Sequence, residues 1–138
     1  IINKNNFSDN IFFDEKIFMY LENVDLCLRA RKKNGKIFII KNSKIHHLGA
    51  KAVDDKYSEE IELSRNWHWM WSKLYFNKKH RGIFISISLG LGNLFVNFLK
   101  YLIYTLMLNK KRNIYKMRMS GIFNALLGRQ SWFRPLIN

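Results

Sequence analysis

The stretch Glu22-Asn23-Val24-Asp25-Leu26-Cys27-Leu28-Arg29-Ala30-Arg31-Lys32-Lys33-Asn34-Gly35-Lys36-Ile37-Phe38-Ile39-Ile40 changes its period partway along. Val24, Cys27, Leu28 and Arg31 fall at helical spacing, with the acids Glu22 and Asp25 at the helix's positive end and Lys32 and Lys33 near its negative end. Gly35 is the expected left-handed cap. Lys36 to Ile40 then reads as a buried strand, and Lys44-Ile45-His46-His47-Leu48 as a second short one before Gly49.

Upstream, Phe12-Phe13-Asp14-Glu15 reads as a loop entering the apolar segment Ile17-Phe18-Met19-Tyr20. Downstream, Tyr57, Ile61, Ser64, Trp67, Trp71 and Leu74 recur at three and four residues, which predicts a long helix from Asp55 to Phe76. The 138 residues are 48% hydrophobic and 15% aromatic with a net charge of +14, enough apolar surface for a core and against disorder. One Cys and one Pro exclude a disulfide scaffold and a Pro-rich linker. Cys27 has no second cysteine to pair with, which fits a reducing, cytosolic face. No basic n-region with a short apolar core opens the chain at Ile1, so no secretory signal is visible, and a fragment lacking its natural beginning is the expectation.

Composition shifts near Arg81. Every acidic residue lies between Asp9 and Glu62, and only positive charge follows. Two regions are expected, residues 1–80 and a basic, apolar tail of residues 81–138. Gly82 to Leu108 is long enough to span a bilayer, which takes about 20 apolar residues. Yet Ser86, Gly90, Asn93, Asn97, Lys100 and Tyr104 recur at three or four residues and line one polar stripe. Both flanks are basic: Lys78, Lys79 and Arg81 before, Lys110, Lys111 and Arg112 after. The positive-inside tendency would keep both on the cytoplasmic side, which favours an interfacial or re-entrant helix over a single crossing. A soluble helix packed on the first region is the third reading. Met119, Ile122, Phe123 and Leu126 form a further apolar face with Gly128 as its stop, edged by Lys116, Arg118, Arg129 and Arg134.

The acids at the helix start could face a site. On spacing alone, Asp25 and Arg29 are an i, i+4 pair worth a few tenths of a kcal/mol, and Glu22 or Asn23 caps the helix. A wider run adds to this: Phe13-Asp14-Glu15, then Phe18-x-Tyr20-x-Glu22-Asn23-Val24-Asp25-Leu26-Cys27-Leu28-Arg29, then Gly35-Lys36-Ile37, His47-Leu48-Gly49 and Arg65-Asn66. Gly128-Arg129-Gln130-Ser131-Trp132-Phe133-Arg134-Pro135 closes it. In this order the elements resemble the C-terminal half of family 2 glycosyltransferases, in the bacterial, rhamnosyltransferase-like branch.

The resemblance implies an α/β class: the C-terminal portion of a Rossmann-like GT-A domain, followed by basic, membrane-associated helices. It implies inverting transfer from a nucleotide-sugar donor to a lipid-linked or polysaccharide acceptor at the cytoplasmic membrane face, with the protein peripheral or monotopic. In that family a Glu-Asp pair opens the helix and its second acid takes the acceptor's proton. This sequence has Asn23 there, and an amide is no base at neutral pH, so Glu22 or Asp25 would take the role or activity would be impaired. The family's downstream His falls on His47, a ligand for Mn²⁺ or Mg²⁺. Arg65 is a candidate phosphate contact, Trp67, Trp69 and Trp71 are candidates to stack on sugar, and Lys100, Lys110, Lys111 and Arg112 are the membrane-facing cations. The family's Asp-x-Asp element does not occur in these residues, so this chain alone is not expected to turn over.

Two competing classes remain. The charge and interleaved aromatics also fit a nucleic-acid-binding module, although cations set among long apolar runs suit lipid better than a phosphate backbone, and no nucleic-acid partner is expected. Asn23 is the best support for a catalytically silent membrane-associated subunit.

Overall fold

The computed structural model describes residue 7, residues 12–46 and residues 55–135. Among these residues the ordered elements are all helical: α1 (Glu22–Lys32), a short 3₁₀ turn (Asp55–Tyr57), α2 (Ser58–Arg81), α3 (Ile83–Leu106) and α4 (Arg112–Leu126). This overturns the α/β expectation, since no strand forms among the described residues. Lys36 to Ile40 is irregular, with Phe38, Ile39 and Ile40 exposed by 78%, 92% and 65%. A strand holds only when a neighbour takes up its N–H and C=O groups, and none of the described residues provides such a neighbour. Among the described residues its backbone bond is a local turn from Ser43 N–H to the Ile40 carbonyl, at 3.2 Å.

α1 forms where the spacing placed it, but Gly35 is not the left-handed residue. Asn34 takes that conformation at φ 61°. The N–H groups of Asn34 and Gly35 then bond the carbonyls of Arg31 and Ala30 at 3.0 and 2.9 Å, closing a Schellman turn. The same closure ends α4, with Gly128 at φ 72°, so that expected stop is observed. It also ends α3, where Leu108 holds φ 50°.

α2 and α3 have 24 residues each and are joined through Gly82 alone. Gly82 sits at φ 96° and ψ 166°, a region a side chain all but forbids, and this permits the reversal between helices. α4 packs against both, so the bundle runs across the composition break at Arg81. Tyr104 of α3 stacks on Tyr115 of α4, and Gly90 of α3 meets Leu126 of α4, an antiparallel register. Trp67 is fully buried between α2 and α4 and donates to Ser120 Oγ at 3.1 Å. Met70, Leu74 and Ile122 form the core, with Leu89, Leu94 and Leu126 against it.

α3 is turned polar side inward. Its buried residues are Ser86, Gly90 and Asn97, members of the stripe read from the sequence. Ser86 donates to the Leu74 carbonyl at 2.9 Å, while Asn93 and Asn97 bond carbonyls one turn back on their own helix at 2.6 and 2.7 Å. These bonds satisfy the buried polar groups inside the bundle. The apolar side, including Phe84, Leu91, Phe95, Leu102 and Leu106, is exposed.

The segment after α4 crosses back over α2. Trp71 Nε1 donates to the Arg129 carbonyl at 2.9 Å, and His68 bonds the Phe133 carbonyl through Nε2 at 2.8 Å. His68 is fully buried, and that burial holds its pKa below the ordinary 6.5, keeping the ring neutral with Nε2–H as the donor. Ser131 Oγ donates to the Lys16 carbonyl at 3.0 Å, and Arg134 lies over the Phe18 ring at 3.6 Å. The closing residues thereby tie the loop before α1 to the bundle.

Candidate functional site

The loop that delivers α1 is unusual in its backbone. Tyr20 and Leu21 are both left-handed, at φ 69° and 67°, a conformation costing roughly 1–2 kcal/mol per non-glycine residue. Ser72 of α2 holds the loop by donating to the Met19 carbonyl at 2.7 Å. Tyr20 packs edge-on against Trp69 at 5.5 Å. Burial raises the Tyr20 phenol above its ordinary 10.0, while nearby Arg65 draws it down and Glu62 and Glu22 push it up. Glu22 and Arg65 thus both act electrostatically on the Tyr20 phenol. Glu62, Arg65 and Trp69 recur at three and four residues, so they share one face of α2.

The acid and amide residues at the start of α1 have different surroundings. Asn23 is exposed, and its Oδ1 accepts the Val24 N–H at 2.8 Å. Asp25 is fully buried and saturated: Oδ2 takes Arg29 Nε at 2.8 Å, and Oδ1 takes Lys79 Nζ and His80 Nε2, each at 2.7 Å. Lys79 reaches Asp14 as well, at 2.7 Å, and Tyr75 donates to the same carboxylate at 2.9 Å. The Arg29 guanidinium also bonds the Phe12 carbonyl. Burial pushes the Asp25 carboxyl up, but the hydrogen bonds from Lys79, His80 and Arg29 outweigh it and hold the pKa below the ordinary 3.8. The network locks the end of α2 to α1 and engages both Asp25 carboxylate oxygens. Glu22 is the contrast: its Oε2 is buried and has no hydrogen-bond partner.

His47 lies outside the described residues, and His46 is exposed. Among the described residues no group of three or more His, Cys, Asp or Glu side chains could hold a metal ion. Of the three tryptophans, Trp67 and Trp71 are core while Trp69 is 41% exposed beside Tyr20. Lys100, Lys110, Lys111 and Arg112 are all exposed. Lys100 Nζ and the Arg118 guanidinium each lie 5.6 Å from the Tyr115 ring. Sequence reasoning missed Tyr20 and Glu62; the spacing of Glu62 with Arg65 and Trp69 was the available signal.

No protein-family profile, curated protein or solved structure matches this chain.

Proposed function

We propose that the chain is the acceptor-side part of an inverting glycosyltransferase that works at the cytoplasmic face of a membrane, with Glu22 as its base. The motif order motivates the class, and one observation carries the assignment. Of the three residues Glu22, Asn23 and Asp25, Glu22 alone keeps an unpartnered carboxylate oxygen, buried at the positive end of α1. A hydroxyl donor satisfies that oxygen, whereas the Asp25 carboxylate is already filled.

In the step proposed, the acceptor hydroxyl passes its proton to Glu22 Oε2 as its oxygen bonds the anomeric carbon. The bond from that carbon to the nucleoside diphosphate breaks on the opposite face, which inverts the centre. Trp69 and Tyr20 offer ring surfaces to a sugar, and Arg65 offers a cation to a phosphate oxygen. The Asp-x-Asp element that the resemblance assigns to donor binding does not occur in the sequence.

The test is release of nucleoside diphosphate from a panel of nucleotide sugars, with a polyprenyl-diphosphate-linked saccharide as acceptor and Mn²⁺ or Mg²⁺ added. The assay uses the polypeptide in which these residues are joined to a nucleotide-sugar-binding portion. Glu22→Gln is expected to lower release by about 10²–10⁴-fold with an unchanged thermal transition. Equal release from Glu22→Gln and the parent, or none with any donor, contradicts the assignment. In the second case the silent-subunit reading, which Asn23 favours, takes its place.

A further inference from the structure

α3 is 24 residues long and has a mean hydropathy of 1.6, so length and composition alone would let it cross a bilayer. Its neighbours argue otherwise. α4 packs along it, has only 15 residues, and reaches about 22 Å, short of a hydrocarbon core of about 30 Å. α4 also carries Arg112, Lys116 and Arg118, with no acid on α3 or α4 to neutralise them. A crossing α3 would draw these cations toward the hydrocarbon, where charge is strongly disfavoured. The outward face has no such conflict. Phe84, Phe95 and Leu106 are spaced by eleven residues, which returns each to within about 20° of the last on a helix. They are exposed by 84%, 63% and 86%.

We infer that α3 lies in the plane of an anionic bilayer surface. Its Phe84–Phe95–Leu106 side sits among acyl chains, and Lys110, Lys111 and Arg112 contact lipid phosphates. Two observations select lipid as the occupant. The helix turns Ser86, Gly90 and Asn97 of its polar stripe into the protein and its apolar side out, as a helix does when the outside medium is hydrocarbon. The chain that follows supplies exposed cations and no acid, the charge complement of an anionic headgroup layer. A second copy of this chain would bring the same uncompensated positive charge to the face. This inference deepens the membrane-face part of the function proposed above and is independent of its sugar-transfer part.

Flotation of the chain with vesicles tests it without any nucleotide sugar, so a failed transfer assay and a failed docking are separate results. Vesicles of phosphatidylcholine with phosphatidylglycerol are expected to carry the chain upward, and phosphatidylcholine alone to carry much less. Replacing Lys110, Lys111 and Arg112 by Gln together should weaken partitioning about 100-fold, from roughly fivefold per cation. Phe95→Asp should abolish flotation while far-UV circular dichroism stays unchanged. In a Cys27→Ser background, fluorophores on cysteines placed at 84, 95 and 106 should be quenched to one common shallow depth by brominated lipids. A deep centre with two shallow ends signals a crossing and overturns the inference. Equal binding to neutral vesicles, retention on single-stranded nucleic acid without flotation, or a dimer dissolved by Phe95→Asp without flotation overturns it too.

Discussion

Replacing Asp25 by Ala is expected to destabilise the fold by about 3–5 kcal/mol, the cost of stripping one partner from a buried ion-paired network. The side chain is fully buried and holds Arg29, Lys79 and His80 at once, so its loss takes one hydrogen-bond acceptor from each of them at the joint between α1 and the end of α2. Asp14 retains Lys79 at 2.7 Å, which keeps the effect toward the lower figure. The same carboxylate makes stability depend on acid. Its folded pKa lies below the ordinary 3.8, so the unfolded chain binds more protons there. Its contribution is complete above that value and drains away as pH falls below it, through the folded pKa. Asp14 behaves alike: burial raises its pKa, but bonds from Lys79, the Lys16 N–H and Tyr75 hold it down. Denaturant titrations from neutral pH to below about pH 4 should show the parent losing stability steeply and Asp25→Ala losing less. An unchanged midpoint in the variant would remove the network from the account.

Gly121→Ala should be the second large loss, about 1–3 kcal/mol from overpacking. A Cβ at this position would stand 2.4 Å from the Trp67 carbonyl oxygen. That oxygen is backbone and cannot swing aside, so α2 and α4 must separate. Separation would loosen Trp67 and Ile122, both fully buried. Gly90 provides the control on the same bundle. Its added Cβ meets the end of the Leu126 side chain at 2.9 Å, and a rotamer change relieves that contact. Thermal unfolding of the two variants side by side should find Gly121→Ala well below Gly90→Ala. Equal midpoints would mean that the close α2–α4 approach is not formed.

Local features were legible in the sequence where local physics decides them. The extent of α1, the Asp25–Arg29 pair, the long α2 and the stop at Gly128 follow from spacing and from a left-handed glycine, whereas the cap expected from Glu22 or Asn23 does not form: Leu21, itself left-handed, stands at the N-cap and no side chain caps the helix. The Asn34 cap was missed because Asn tolerates the left-handed conformation nearly as well as Gly. The apolar run at Lys36–Ile40 was misread because β-propensity describes a side chain's fit to a sheet, and the described residues provide no sheet. Lys79 and His80 could not be assigned to Asp25, since nothing local links positions so far apart. Periodicity on α3 revealed the stripe but not its direction, because it reports two faces and not which of them meets the solvent. Around Glu22, the motif run supplied the residue, while its empty oxygen and its Tyr20, Trp69 and Arg65 surroundings needed coordinates.

Membrane seating of the bundle depends on that direction, and thiol accessibility reads it most directly. Single cysteines are placed at 95 and at 97 in the Cys27→Ser background and exposed to a water-soluble maleimide, with and without anionic vesicles. Position 95, outward in the structure, should react rapidly in buffer and become protected by vesicles, while position 97, only 3% exposed as Asn, should stay slow in both. Fast labelling at 97 with protection at 95 in buffer alone would mean that α3 buries its apolar side as an ordinary core helix does, contradicting the membrane-seated bundle.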